Sequence, residues 1–179
     1  MRKAVLILGI CLLAAPAWAG GGFTLFGSYA ELTEENESPG FGARFSLGSE
    51  RWVGDLTFTW YQSQEDVPTF DGFVDRIQVV PTEIGIRYLF NTQGSLKPYF
   101  GAGASFFWVN LNTGSADNAI GGYAILGLNF GHGKTRFFAE AIYRAGSTDV
   151  SYRRGPDDHY TGSMDLGGFG VNLGIAWGY

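Results

Sequence analysis

Apolar and polar residues alternate along most of this chain with a period of two, the period of a β-strand. The alternation is cleanest at the end. Phe169, Val171, Leu173, Ile175, Trp177 and Tyr179 fall on one parity, and Gly168, Gly170, Asn172, Gly174, Ala176 and Gly178 on the other. One face of this strand is wholly apolar and the other is almost bare. Interior glycine weakens an ordinary strand, so a glycine face needs a reason. A narrow transmembrane barrel supplies one. Lipid covers the apolar side, while the small side leaves room in the lumen for bulkier side chains from other strands.

The same scheme recurs between turn signals. Phe23 to Leu32 reads as a first strand with both parities almost equally apolar, which leaves its facing open. Thr33 to Gly40 is acidic, ends in Pro-Gly, and reads as a loop. Phe41 to Gly48 sets Phe41, Ala43, Phe45 and Leu47 against Gly42, Arg44, Ser46 and Gly48. After a tight turn, Trp52 to Tyr61 sets Trp52, Leu56, Phe58 and Trp60 against Val53, Asp55, Thr57, Thr59 and Tyr61. A long loop is expected from Gln62 to about Gln78. Val79 to Phe90 then sets Val80, Ile84, Ile86, Tyr88 and Phe90 against Glu83, Gly85 and Arg87. Leu96 to Asn110 sets Phe100, Ala102, Ala104, Phe106 and Trp108 against Tyr99, Gly101, Gly103 and Ser105. Leu111 to Asn118 reads as a loop. Ala119 to Phe130 and Thr135 to Ala145 alternate in the same way around the hairpin turn Gly131-His132-Gly133-Lys134. The last loop is expected over Ser147 to Met164.

These segments predict an all-β fold, an eight-stranded antiparallel up-and-down transmembrane β-barrel. Connections alternate long and short, as they do in barrels with short periplasmic turns and longer outside loops. An even strand number puts both termini on the short-turn side. Trp52, Tyr88, Phe100, Trp177 and Tyr179 fall near that side, and Trp60, Trp108 and Tyr143 near the other, as two aromatic girdles would. A soluble eight-stranded barrel would place the apolar parity inside, around a ligand. Here that would turn the glycine-rich, charge-bearing parity to water.

The N-terminus fits an exported protein. Arg2 and Lys3 precede an apolar run from Ala4 to Ala15, and Ala17-Trp18-Ala19 forms a cleavage site. The expected division is a signal peptide over 1–19 and a barrel over 20–179. The only cysteine, Cys11, lies in the leader behind Ile10, a poor lipobox, so no disulfide or thiol chemistry is expected of the mature chain. The formal charge of −5 becomes −7 once Arg2 and Lys3 are removed, which argues against nucleic acid as a partner.

Asn172-x-Gly174-x-x-Trp177-x-Tyr179 resembles the C-terminal assembly signal of bacterial outer-membrane barrels. Lys97 to Ala104 (K-P-Y-F-G-A-G-A) and Phe138 to Arg144 (F-A-E-A-I-Y-R) resemble the fifth- and seventh-strand patterns of the OmpA-like barrel domain family. The whole mature chain is similar to these small OmpA/OmpX-type barrels. The resemblance implies residence in a bacterial outer membrane, contact with its lipid and lipopolysaccharide, and passage through the barrel assembly machinery. The family's namesake adds a peptidoglycan-binding domain. Nothing follows Tyr179 in this sequence, so a cell-wall tether is not expected.

The charge-bearing parity carries the chemistry: Arg44, Asp55, Glu83, Arg87, Glu140 and Arg144. A symmetric hairpin through Gly48 to Arg51 would put Arg44 opposite Asp55. Glu83 and Arg87 lie roughly 13 Å apart along one strand, too far to pair, as do Glu140 and Arg144. An unpaired buried charge is costly, so a cross-barrel network is expected. Gly101, Gly103, Gly121, Gly127, Gly168, Gly170 and Gly174 would make room for it. Eight strands leave an interior just wide enough for side chains, which favours a polar plug over a gated ion path.

Other chemistry is thin. A lipid A-modifying enzyme needs histidine, serine and acid together near the outer face. His132 lies in a short turn, and His159, near Ser163 and Asp165, reads as a solvated loop histidine. Asp71, Asp75, Asp157 and Asp158 do not reproduce a calcium-loop spacing. Arg153-Arg154 could meet lipopolysaccharide phosphates or remain an exposed pair. No cofactor, metal or catalytic residue is expected. The sequence reading is a non-enzymatic outer-membrane barrel with a structural or surface-interaction role through its loops. The alternatives are a narrow channel and a lipid A-modifying enzyme.

Overall fold

The computed structural model describes residues 21–33, 36–49, 51–65, 75–90, 94–111, 115–131, 133–153 and 159–178. Eight strands close into one antiparallel barrel: β1 (Gly22–Thr33), β2 (Asn36–Gly48), β3 (Trp52–Glu65), β4 (Asp75–Leu89), β5 (Leu96–Leu111), β7 (Ala119–Phe130), β8 (Thr135–Ala145) and β11 (Gly168–Trp177). Each pairs with its barrel neighbours in chain order. β11 pairs with β1, from Phe23↔Trp177 to Ala30↔Gly170, and so removes both sheet edges. Three shorter strands, β6 (Ser115–Ala116), β9 (Ser147–Arg153) and β10 (His159–Asp165), form a separate small sheet.

Several segments read as loops are strand. β2 starts at Asn36 and is paired with β1 as far as Thr33. β3 runs to Glu65 opposite Asp75 of β4, Leu111 closes β5, and the final loop is the β9–β10 hairpin. Backbone N–H and C=O groups pair along a hairpin arm whatever its side chains, so polar composition alone does not end a strand. Asp165 belongs to β10, and Leu166 and Gly167 connect it to β11. The expected leader, residues 66–74, His132, Arg154, Asp157, Asp158 and Tyr179 lie outside the described residues, as do the side chains of His159 and Arg153.

The two faces separate as the alternation requires. Leu25, Phe41, Phe58, Ile84, Ile86, Leu126, Phe169, Val171 and Leu173 are exposed on the outside. β1 presents Leu25, Gly27 and Tyr29 outward and Thr24, Phe26, Ser28 and Ala30 inward, which settles its facing. Trp52, Trp60, Phe100, Trp108, Tyr143 and Trp177 are exposed, and Tyr88 is half-buried among them. Trp52 stacks edge-on to Tyr88 at 4.9 Å, and Phe23 lies parallel to Trp177 at 6.2 Å, both near the short turns. Toward the loop side, Phe41 pairs with Trp60, Phe106 with Trp108 and Tyr143 with Phe169.

The wall is irregular at the β1–β2 end, where the register shifts between Glu31 and Thr33, and within the β3–β4 pairing. The β3–β4 pairing steps from Phe58↔Thr82 to Tyr61↔Val79. Thr59 and Trp60 face Val80 and Pro81 without ladder pairing, because proline has no N–H to donate. At the β7–β8 turn, Gly133 adopts φ +80°, a conformation that glycine takes without steric cost.

Candidate functional site

The interior is built in tiers. Toward the loop side, Ala30, Tyr61, Val79, Phe107, Ala119 and Leu166 pack into an apolar lid. Leu166 is placed by the short link into β11, where its N–H donates to the Gly146 carbonyl at 2.8 Å. Toward the short turns, Val53, Leu89, Tyr99, Tyr123, Ile125 and Ile142 form a second apolar cluster. The six sequence-expected charges are all buried, each at most 4% exposed.

They form three ion pairs. Arg44 of β2 meets Glu140 of β8 across the lumen, donating from Nη1 at 3.0 Å and from Nη2 at 2.7 Å. Arg144 of β8 donates from Nε to Glu83 of β4 at 2.7 Å. Arg87 of β4 lies 3.0 Å from Asp55 of β3. Three guanidinium groups thus balance three buried carboxylates.

The expected Arg44–Asp55 alignment is not found. The β2–β3 hairpin pairs Gly48 with Val53, and the Ser49 N–H donates to the Trp52 carbonyl at 2.8 Å. The turn is therefore centred one residue later than a symmetric turn over Gly48 to Arg51. Arg44 falls opposite Thr57, and Ser46 opposite Asp55. Arg44 donates from Nε to Thr57 at 3.1 Å, and Ser46 donates to Asp55 at 2.6 Å.

Neutral groups join the pairs. Glu140 also accepts from the Tyr99 hydroxyl at 2.9 Å and from the Asn172 amide at 2.8 Å. With the two Arg44 bonds, each carboxylate oxygen of Glu140 accepts two hydrogen bonds. Ser28 donates to the Asn172 carbonyl oxygen at 2.6 Å and lies 2.5 Å from the Tyr61 hydroxyl. Tyr61 accepts from Arg144 Nη1 at 3.1 Å. A continuous polar chain therefore runs Glu83–Arg144–Tyr61–Ser28–Asn172–Glu140–Arg44. The guanidinium groups also lie over rings: Arg44 over Phe26 and Phe138, Arg87 over Tyr99, and Arg144 over Tyr61.

Asn172 and Gly174 belong to the expected assembly signal, and both point inward. Asn172 is fully buried in the network. A Cβ on Gly174 would collide with the Leu25 carbonyl and come within 2.7 Å of Phe26. The linking residues Ser28, Thr57 and Tyr61 escaped the sequence reading as network members. Thr57 and Tyr61 share the parity of Asp55, which was the available signal, and Ser28 sits on the strand whose facing the pattern left open. Among the described residues, no group of three His, Cys, Asp or Glu side chains could hold a metal ion.

Several solved structures of outer-membrane proteins are similar to this chain. The outer membrane protein OprG from Pseudomonas aeruginosa aligns with a TM-score of 0.73 and 16% identity, over 89% of this chain and 95% of that one. Neisserial surface protein A aligns with a TM-score of 0.60 and 16% identity, over 90% and 98%. The N-terminal β-barrel domain of OprF from P. aeruginosa aligns with a TM-score of 0.50 and 18% identity, over 88% and 95%. No protein-family model and no curated protein matches the chain. Closed, antiparallel and eight-stranded, with six charged residues buried inside, the chain has the fold of the small outer-membrane β-barrels.

Proposed function

We propose that this protein is a non-enzymatic barrel of the bacterial outer membrane, with both termini in the periplasm and a structural or surface-interaction role carried by its loops. The observation that carries the reading is the pairing of an apolar exterior with an interior that holds three matched ion pairs. Soluble proteins rarely expose so large an apolar surface, whereas lipid covers it at no cost. The similarity in fold to outer-membrane barrels supports the location. The interior supports a plug rather than a pore, since an eight-stranded barrel is filled by its side chains. Outer-membrane lipid and lipopolysaccharide would surround the barrel, and the assembly machinery would insert it. A loop ligand would be the remaining partner.

The test is expression in a Gram-negative host. The protein should sediment with the outer membrane and migrate differently on SDS gels before and after boiling. Lipid A from the same cells should be unchanged by mass spectrometry. A soluble periplasmic product would overturn the location, and altered lipid A would promote an enzyme.

A further inference from the structure

The ion pairs of the polar lumen are not satisfied equally. The Glu140 carboxylate accepts four hydrogen bonds from Arg44, Tyr99 and Asn172. The Glu83–Arg144 pair makes one bond between its members, from Nε to Oε1. Glu83 Oε2 and Arg144 Nη2 find no hydrogen-bond partner among the described residues, and neither do Thr59 Oγ1 and Ser105 Oγ. All four residues are at most 2% exposed. Buried polar atoms without a partner are rare in folded proteins and costly, so four in one tier point to a missing partner.

The strand register brings these groups together. Ser105 of β5 is directly opposite Glu83 of β4, a relation that places Cβ atoms about 4.5–5.5 Å apart. Thr57 of β3 is opposite Glu83 on the other side, and Thr59 is the next inward residue along β3. Arg144 bonds both Glu83 and Tyr61, so its guanidinium spans the stretch of β3 that holds Thr59. Above them the Tyr61, Val79, Phe107 and Leu166 lid offers only apolar surface, apart from the Tyr61 hydroxyl already engaged by Arg144 and Ser28.

We propose that Glu83, Arg144, Thr59 and Ser105 form a water-binding site in the outer half of the lumen. The chemistry selects water over an ion. One carboxylate and one guanidinium cancel, so a cation would lie against Arg144 and an anion against Glu83. Water donates to Glu83 Oε2 and accepts from Arg144 Nη2, and the hydroxyls of Thr59 and Ser105 can play either part. A buried water makes about three hydrogen bonds, and this set supplies up to four. The Arg44–Glu140 pair needs no such guest, because Arg44, Tyr99 and Asn172 saturate the Glu140 carboxylate.

The test is a crystal structure of the full barrel at a resolution that shows water, paired with NMR of the same protein in micelles. Solvent density within hydrogen-bond distance of both Glu83 and Arg144 is expected, as are cross-peaks from a long-lived water to protons in this tier. Ser105→Val fills the place with methyl groups and should abolish both signals in a barrel that still shifts on SDS gels. Thr59→Val, nearly the same shape, provides a second variant should Ser105→Val fail to fold, and should weaken the signals. A Glu83–Arg144 pair closed into two parallel bonds with no solvent between them would overturn the site. So would a long-lived water signal in this tier that persists unchanged in both folded variants.

Discussion

Arg44 and Glu140 join through two hydrogen bonds across the barrel, although their strands, β2 and β8, are separated in the wall by β1 and β11. Neither group reaches water: Arg44 is 2% exposed and Glu140 is 3% exposed. The pair therefore ties two non-adjacent strands of the wall together through the lumen.

Removing one member should be costly. Glu140→Ala leaves the Arg44 guanidinium buried without its main partner, which should lower barrel stability by about 3–5 kcal/mol. Arg44→Ala together with Glu140→Ala should cost less than the sum of the two single changes, with a coupling of about 0.5–3 kcal/mol. Arg144→Ala with Glu140→Ala should be closer to additive, because Arg144 pairs with Glu83. Urea unfolding in lipid vesicles measures all three. Equal coupling of Glu140 to both arginines would contradict the pairing.

The outward face should reject charge. Leu126 and Ala104 are exposed on the apolar exterior. Replacing either with Arg should destabilise the barrel by about 2–4 kcal/mol if it lies near the bilayer midplane. Neutral behaviour of both variants in the same unfolding assay would reverse the assignment of inside and outside.

Gly103 should reject any side chain, for a different reason. A Cβ there would collide with the Ile84 carbonyl, lie 2.5 Å from Gly85 Cα and 2.8 Å from the Tyr123 ring. The first two are backbone atoms of the adjoining strand and cannot swing away. Gly103→Ala should therefore cost about 1–3 kcal/mol. A variant as stable as the parent would show that β4 and β5 have more room there than the structure allows.

Closure depends on the end of β11. Trp177 is paired with Phe23 of β1 and with Thr135 of β8, and its ring stacks on Phe23. Deleting Trp177 to Tyr179 should leave export intact and prevent insertion. Loss of the gel shift between unheated and boiled samples, with the chain held in the periplasm, is the expected result. Normal amounts of folded, truncated protein in the membrane would contradict it.

The fold was largely legible because the alternation is a direct readout of two environments. Phe41 to Leu47 and Phe169 to Trp177 each put large apolar groups on one parity and small or polar ones on the other. β1 was not legible in this way, since Phe26 faces inward. The structure explains why an aromatic is tolerated there: Phe26 lies beneath the Arg44 guanidinium and edge-on to Phe138 at 6.1 Å. The membership of the charge set was readable from parity, but the pairing was not. Partnership depends on strand register and on which strands face each other across the closed barrel, and a turn centred one residue later moved Arg44 from Asp55 to Thr57. The β9–β10 hairpin was hidden because its polar arms carry no apolar alternation.

The central claim is that side chains close this lumen. Its most direct measurement is the conductance of the folded, wild-type barrel in a planar lipid bilayer. Three matched ion pairs between two apolar clusters predict little or no steady current. A large, stable conductance from the intact protein would contradict the plug.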